Sequence, residues 1–149
     1  ARKIEPNTVV KFGLGFLFLA GGFWVFYYTQ FFADPSGKTS LSLFTFGWFI
    51  ITFGELCLSP IGLSAMSRLS PQKTQAVMMG IWYLASAYGQ YFAGILGANI
   101  ASASENSTNI EKLIVYADGY KQLAIYALIA GVVLILISPL VKKLMQEVK

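Results

Sequence analysis

A glutamate, a serine and a proline stand together in FGELCLSPIGLS, residues 53–64: Glu55, Ser59 and Pro60, with Gly54 and Gly62 on either side. A carboxylate can hold a proton or pair with an ammonium group. If the stretch is helical, Ser59 falls one turn beyond Glu55 on the same face, about 6 Å along the axis. Pro60 removes a backbone donor and collides with the carbonyl of residue 56. A kink with a freed carbonyl near Glu55 is expected there, either a static bend or a moving hinge. Trp82 joins this group if the helix carrying Glu55 and the next helix run antiparallel. It then comes level with Ser59 and near Glu55. A carboxylate, a hydroxyl and an aromatic plate would suit an ammonium-bearing ligand with an apolar side chain. The competing reading of Trp82 is an anchor at the membrane surface.

Other chemistry is thin. The chain has no histidine, which removes the commonest general base and transition-metal ligand. Its single cysteine, Cys57, excludes an internal disulfide and a multi-cysteine metal site. No paired acids, Ser–Lys dyad or metal-binding cluster accompanies Glu55, so an intramembrane enzyme lacks its second catalytic group. No cofactor is expected.

The elements that must position Glu55 are membrane helices. Of 149 residues, 56% are hydrophobic and 12% charged, against about 25% charged in soluble domains. Four apolar segments, about 9–32, 41–66, 75–101 and 120–141, each approach or exceed the ~20 residues that cross a bilayer. Their apolar character is nearly all-round, unlike the one-sided stripe of a soluble helix. ADPSGKTS suits a tight turn, and Pro71 in RLSPQKTQ stands near a helix start, where proline is tolerated. In the longest link IEKLIVY is expected to form a short surface helix, and Asn106-Ser107-Thr108 matches a glycosylation sequon by coincidence. The opening on Ala1, with no signal-peptide pattern, suggests a fragment or a processed chain.

Lysine and arginine set the direction. Arg2, Lys3, Lys11, Arg68, Lys73, Lys142, Lys143 and Lys149 fall on one side, and Lys38, Lys112 and Lys121 on the other. The positive-inside rule puts both ends and the 70–74 loop in the cytoplasm. The net charge of +4 is thereby spent on topology, and no nucleic-acid partner is expected.

Glu55 is the one ionisable acid or base well inside an apolar span. A charge there costs at least ~2.5 to 3.5 kcal/mol, so such a residue faces a bundle interior or a cavity and finds a partner. No lysine or arginine of these helices lies at its depth. The partner is a ligand, a proton or another part of the protein, unless Glu55 is a structural acid tied to the backbone. Ala85, Gly89, Ala93 and Gly97 form a small-residue ridge on the third helix, suited to close approach by a neighbour. The aromatics at the outer end of the first helix read as a lipid-interface belt, and the fourth helix as scaffold.

FGELCLSPIGLS, the following LSP and MGIWYLASAYGQYFAG together resemble the proton-coupled oligopeptide transporter family of the major facilitator superfamily, bacterial type. The resemblance spans the chain as helices nine to twelve and is strongest over 53–94. It implies an all-α integral membrane fold: four transmembrane helices, part of a carboxy-terminal six-helix bundle. It implies that Glu55 faces the central cavity and meets the peptide's amino terminus or a lysine of the other half. It further implies that Ser59 lines the site, Trp82 shapes the pocket and Leu63 helps close the cytoplasmic side. The implied activity is proton-coupled import of di- and tripeptides by alternating access, with protons as coupling ion, in a bacterial inner membrane. The implied partners are those peptides, the lipid bilayer and the remaining helices. The family's helix-one acid and arginine cluster and its cavity lysine are missing from this chain, which should not transport alone. Two rivals remain: a major facilitator carrier of another small anion or amino-acid-like solute, and a non-transport four-helix membrane subunit.

Overall fold

The computed structural model describes residues 7–100 and 107–144. The expectations for Arg2, Lys3, Asn106 and Lys149 lie outside these residues. Four helices follow one another: α1 (Thr8–Tyr28, prolonged by a 3₁₀ turn, Thr29–Phe32), α2 (Leu41–Leu69), α3 (Gln75–Ile100) and α4 (Asn109–Leu144). The spans Thr8–Phe32, Leu41–Arg68 and Asn109–Val141 are long and apolar enough to cross a membrane. The 26 residues of α3 reach about 39 Å, more than the ~30 Å hydrocarbon core. Gln90, Tyr83, Tyr88, Tyr91 and its glycines dilute its apolar character, so α3 qualifies by length and not by composition.

IEKLIVY is not a separate surface helix. It forms the first turns of α4, which runs unbroken for 36 residues. Thr108 and Glu111 cap its start reciprocally. The Thr108 N–H donates to Glu111 Oε2 at 2.8 Å, and the Glu111 N–H to Thr108 Oγ1 at 3.3 Å. Such a box satisfies two donors that a helix start otherwise leaves open. Gly119 within the helix costs about 1 kcal/mol relative to alanine, too little to break a helix packed along α1.

Neighbouring helices run antiparallel in the order α4–α1–α2–α3, with α1 packed between α4 and α2. Glycines set its two seams. A Cβ on Gly54 of α2 would stand 2.9 Å from the Gly15 carbonyl oxygen of α1, and a Cβ on Gly22 3.0 Å from that of Gly47. On the other side, a Cβ on Gly131 of α4 would stand 3.0 Å from the Gly13 carbonyl oxygen. The helices therefore meet backbone to backbone, the approach that small residues permit in membranes.

Part of the expected lipid belt is core. Phe26 is buried, with ring centroids 4.8 Å from Phe44, 5.1 Å from Tyr120 and 5.8 Å from Trp48. It faces into the junction of α1, α2 and α4, where helical periodicity placed it but composition could not. Tyr28, Phe31 and Phe32 stay uncovered, as a belt requires.

The α1–α2 connection is a tight turn. Asp34 Oδ1 accepts from the Ser36 N–H (2.9 Å), the Ser36 hydroxyl (2.7 Å) and the Lys38 N–H (2.9 Å). Gly37 adopts φ +78, and a Cβ there would stand 3.0 Å from Asn109 Cβ, so the turn rests on the start of α4. At the opposite end Asn7 Nδ2 donates to Ser138 Oγ at 3.5 Å, tying α1 to α4 close to the 70–74 loop side.

Candidate functional site

Helix α2 uses two faces. Gly47, Ile51, Gly54 and Leu58 meet α1. Glu55, Ser59 and Gly62, at i, i+4 and i+7, line a second face turned by about 100°. Gly54 lies in the seam, so its neighbour Glu55 is aimed away from α1. Glu55 and Ser59 are uncovered by the rest of the chain. No described residue hydrogen-bonds to Glu55 or pairs with it. Along the axis Ser59 is about 6 Å and Gly62 about 10 Å from Glu55.

Trp82 approaches this face from α3. Its indole lies against Gly62: a Cβ there would overlap Cη2, Cζ2 and Cζ3 of the six-membered ring. The sequence expectation set Trp82 level with Ser59, and it sits about one turn lower, toward the 70–74 loop. The register follows from that short loop and from a second tie. Gln75 Nε2, in the first turn of α3, donates to Ser67 Oγ of α2 at 2.5 Å. Trp82 is half-buried by α2, and its carbonyl accepts from Ser86 Oγ at 3.0 Å.

Beyond Trp82 the two helices part. Cβ atoms on Gly89, Gly94 and Gly97 would meet nothing within 4 Å, so the α3 ridge has no partner among the described residues. Above the contact of Trp82 with Gly62, the α2 face of Ser59 and Glu55 and the small-residue ridge of α3 are both uncovered, and this open side is the α2–α3 cleft. Leu63, next to Gly62, is half-buried, and Pro60 is uncovered. The helix stays α-helical through Pro60. The structure thus puts Glu55 and Ser59 on the face of α2 that carries Gly62, the residue against which Trp82 lies. Sequence reasoning noted Gly62 as flanking the site and missed its role as the seat of Trp82. Its spacing of seven from Glu55 was the available signal.

Chemically, the cleft offers a lone carboxylate, a hydroxyl one turn away and an apolar plate below. A carboxylate open on one side of a membrane helix can exchange a proton or an ammonium partner. A cation bound there would be held between a charge and an aromatic surface.

Comparison with known proteins gives a consistent picture. The family model described as the POT family matches residues 1–114. The chain is 32% identical over 148 residues to YePEPT, a peptide transporter of Yersinia enterocolitica, covering 98% of this chain and 27% of that protein. It is 28% identical over 150 residues to a di-/tripeptide transporter of Lactococcus lactis, covering 97% and 27%. Among solved structures, a bacterial homologue of the human drug peptide transporters superposes with a TM-score of 0.77 at 31% identity, over 91% of this chain and 28% of that one. A structure concerning substrate recognition in proton-dependent oligopeptide transporters gives a TM-score of 0.77 at 29% identity, over 97% and 30%. The chain therefore spans little more than a quarter of the length of the curated relatives it matches.

Proposed function

The chain belongs to the POT family of multi-pass membrane transporters, and from that premise we propose that it supplies helices nine to twelve of a proton-coupled symporter importing di- and tripeptides. The observation that carries the reading is Glu55: an acid inside a long apolar helix, turned away from the α1 seam, with no partner among the described residues. An isolated carboxylate at that depth is costly, so its partner comes from a substrate, a proton or the remainder of the transporter. The peptide ammonium and a lysine of the other half alternate in that place. Removing one partner of a buried pair costs ~3 to 5 kcal/mol, enough to bias a gate between two positions. Ser59 lines the site, Trp82 forms its apolar floor, Leu63 belongs to the cytoplasmic gate and Pro60 gives α2 its pliable point. Alternating access moves the two halves about this midplane site.

The same reading puts both ends of the chain and the 70–74 loop in the cytoplasm of a bacterial cell, with the 33–40 turn outside. Cysteine labelling by an impermeant reagent at Gly37, and not at Gln72, supports this, and the reverse pattern overturns it.

The central experiment is Glu55→Gln in the full-length transporter, reconstituted in vesicles. It keeps the shape, removes the charge and should insert normally. Proton-driven uptake of dialanine should fall strongly, and binding of free dialanine should suffer far more than that of acetylated dialanine. Wild-type uptake by the variant would make Glu55 a structural acid. Failure of dipeptides to compete for uptake would favour a carrier of another small solute.

A further inference from the structure

We propose that Gly62 is the positioning residue for Trp82: the notch left by its missing side chain seats the indole and so sets the floor of the α2–α3 cleft, and with it the size of apolar side chain the cleft accepts. The proposal rests on the peptide-transport reading above for its effect on selectivity, and on geometry alone for the seat itself. Three observations carry it. The nearest neighbours of a Cβ at Gly62 would be three carbons of one indole ring, all of them side-chain atoms. Gly62 is buried although Glu55, Ser59 and Pro60 on the same stretch are uncovered, so Trp82 covers it. Outward of this contact the α3 glycines meet nothing within 4 Å, so the indole marks the depth at which the cleft closes.

The physical consequence is specific. Carbon atoms in contact stand ~3.5 to 4.0 Å apart. A methyl group at residue 62 would force the ring to withdraw by about 1.5 to 2 Å or to swing. The half-buried ring has the uncovered cleft beside it, so it moves outward and upward, toward Ser59. The cleft then becomes shallower while Glu55 and Ser59 stay where the α1 seam holds them. A peptide with small side chains keeps its charge partner, and one with a large apolar side chain loses its room.

The seat also distinguishes two explanations for a glycine at this position. Gly62 lies two residues after Pro60 and could serve α2's flexibility instead. In that case the residue matters whether or not the indole is present. If it serves as the seat, its importance vanishes with the ring. Contacting residues couple in a double-mutant cycle, and residues acting separately add.

The experiment is that cycle in the full-length transporter: wild type, Gly62→Ala, Trp82→Phe and the double variant. Phenylalanine lacks the outer ring that occupies the notch. Two readouts are taken. Inhibition constants for dialanine and for diphenylalanine report selectivity, and thermal unfolding of the purified protein reports the seat without any peptide. Gly62→Ala should lower affinity for diphenylalanine about tenfold more than for dialanine, and should lower the unfolding temperature. In the Trp82→Phe background the same substitution should change the affinities by less than about twofold and should no longer lower the unfolding temperature, the helix propensity that alanine gains being left unopposed. Equal effects of Gly62→Ala in the two backgrounds, in unfolding, would overturn the seat. Coupled unfolding with an unchanged diphenylalanine-to-dialanine ratio would overturn the selectivity claim. A wild-type protein that binds neither dipeptide would sink the transport reading, while the unfolding cycle would still decide the seat.

Discussion

The glycine seam between α1 and α2 permits a sharp test, because two glycines of α1 and α2 differ in what surrounds them. A Cβ on Gly54 would stand 2.9 Å from the Gly15 carbonyl oxygen and 3.1 Å from Leu19 Cγ. A Cβ on Gly21 of α1 would meet only Ile50 Cγ2, at 3.7 Å, an ordinary contact. Both residues lie inside helices, so Gly→Ala gains the same propensity at each, about 1 kcal/mol. The difference between the two variants therefore isolates the clash. Overpacking costs about 1 to 3 kcal/mol, and at Gly54 the obstacle is backbone, which cannot rotate aside. Gly54→Ala should be less stable than Gly21→Ala by about 2 kcal/mol. Gly21→Ala should match or exceed the wild type. The assay is thermal unfolding of the full-length transporter in detergent, where the difference should appear as a few degrees. Equal unfolding temperatures for the two variants would mean that α1 and α2 do not touch through their backbones at Gly15 and Gly54.

Three further outcomes follow from the end of the bundle that carries the 33–40 turn. Gly37→Ala forces a side chain into φ +78 and against Asn109, and should destabilise the transporter by about 1 to 2 kcal/mol, read by unfolding. The Ser36 hydroxyl and the Lys38 N–H hold the Asp34 carboxyl below the usual carboxylate range. Its stabilising bonds are therefore present above the ordinary carboxylate value and lost as pH falls through the lowered one. Exchange protection of the Ser36 and Lys38 amides should be constant above the ordinary carboxylate range, fall as pH drops below it, and lose that pH dependence in Asp34→Asn. Thr108→Val removes the acceptor of the Glu111 N–H and should cost about 1 kcal/mol, with faster amide exchange confined to the first turn of α4.

Much of this architecture is legible in the residues. The run of apolar segments, the turn at ADPSGKTS and the face shared by Glu55 and Ser59 all follow from local rules, because length, periodicity and turn chemistry are properties of one segment. What escapes is pairwise. The small-residue ridge of α3 is regular in sequence, yet its Gly89 and Gly97 meet nothing among the described residues, whereas Gly13, Gly15, Gly22, Gly47, Gly54 and Gly131 form the real seams at irregular spacing. Phe26 looks like its neighbours Tyr28 and Phe31 and differs only in which helix stands opposite. The start of α4 lies ahead of the fourth apolar segment for another reason: polar residues precede Tyr120, while Thr108-x-x-Glu111, a cap signal, lies further upstream. The depth of Trp82 depended on a loop's register, which moves a side chain by a turn without altering any local pattern.

The two seams also say which wall of the cleft is fixed. Helix α1 is gripped by α4 through Gly13 and Gly131 and by α2 through Gly15 with Gly54 and Gly22 with Gly47. The backbones approach closely, and the side chains of Ile51, Leu58 and Ile135 pack onto these glycines, so α4, α1 and α2 form one tightly packed slab. Glu55 follows Gly54 directly, and its height and direction are set by that slab. Helix α3 is attached differently. The described ties to α2 are an indole lying in a notch and one amide–hydroxyl bond, Gln75 to Ser67, and both are near the 70–74 loop. Toward its far end α3 meets α4 instead, Leu96 lining a hollow with Asp118, Gln122 and Tyr126 of α4, so α3 leaves α2 beyond the loop end and can tilt relative to it. Any change in cleft width is then carried by the small-residue wall moving relative to Glu55, with Trp82 on Gly62 as the pivot. Spin labels on Ser59 and Ala93 test this against labels on Gly21 and Ile50. The first distance should vary between peptide-free and peptide-bound transporter while the second stays constant, and variation of the second would show that the slab is not rigid.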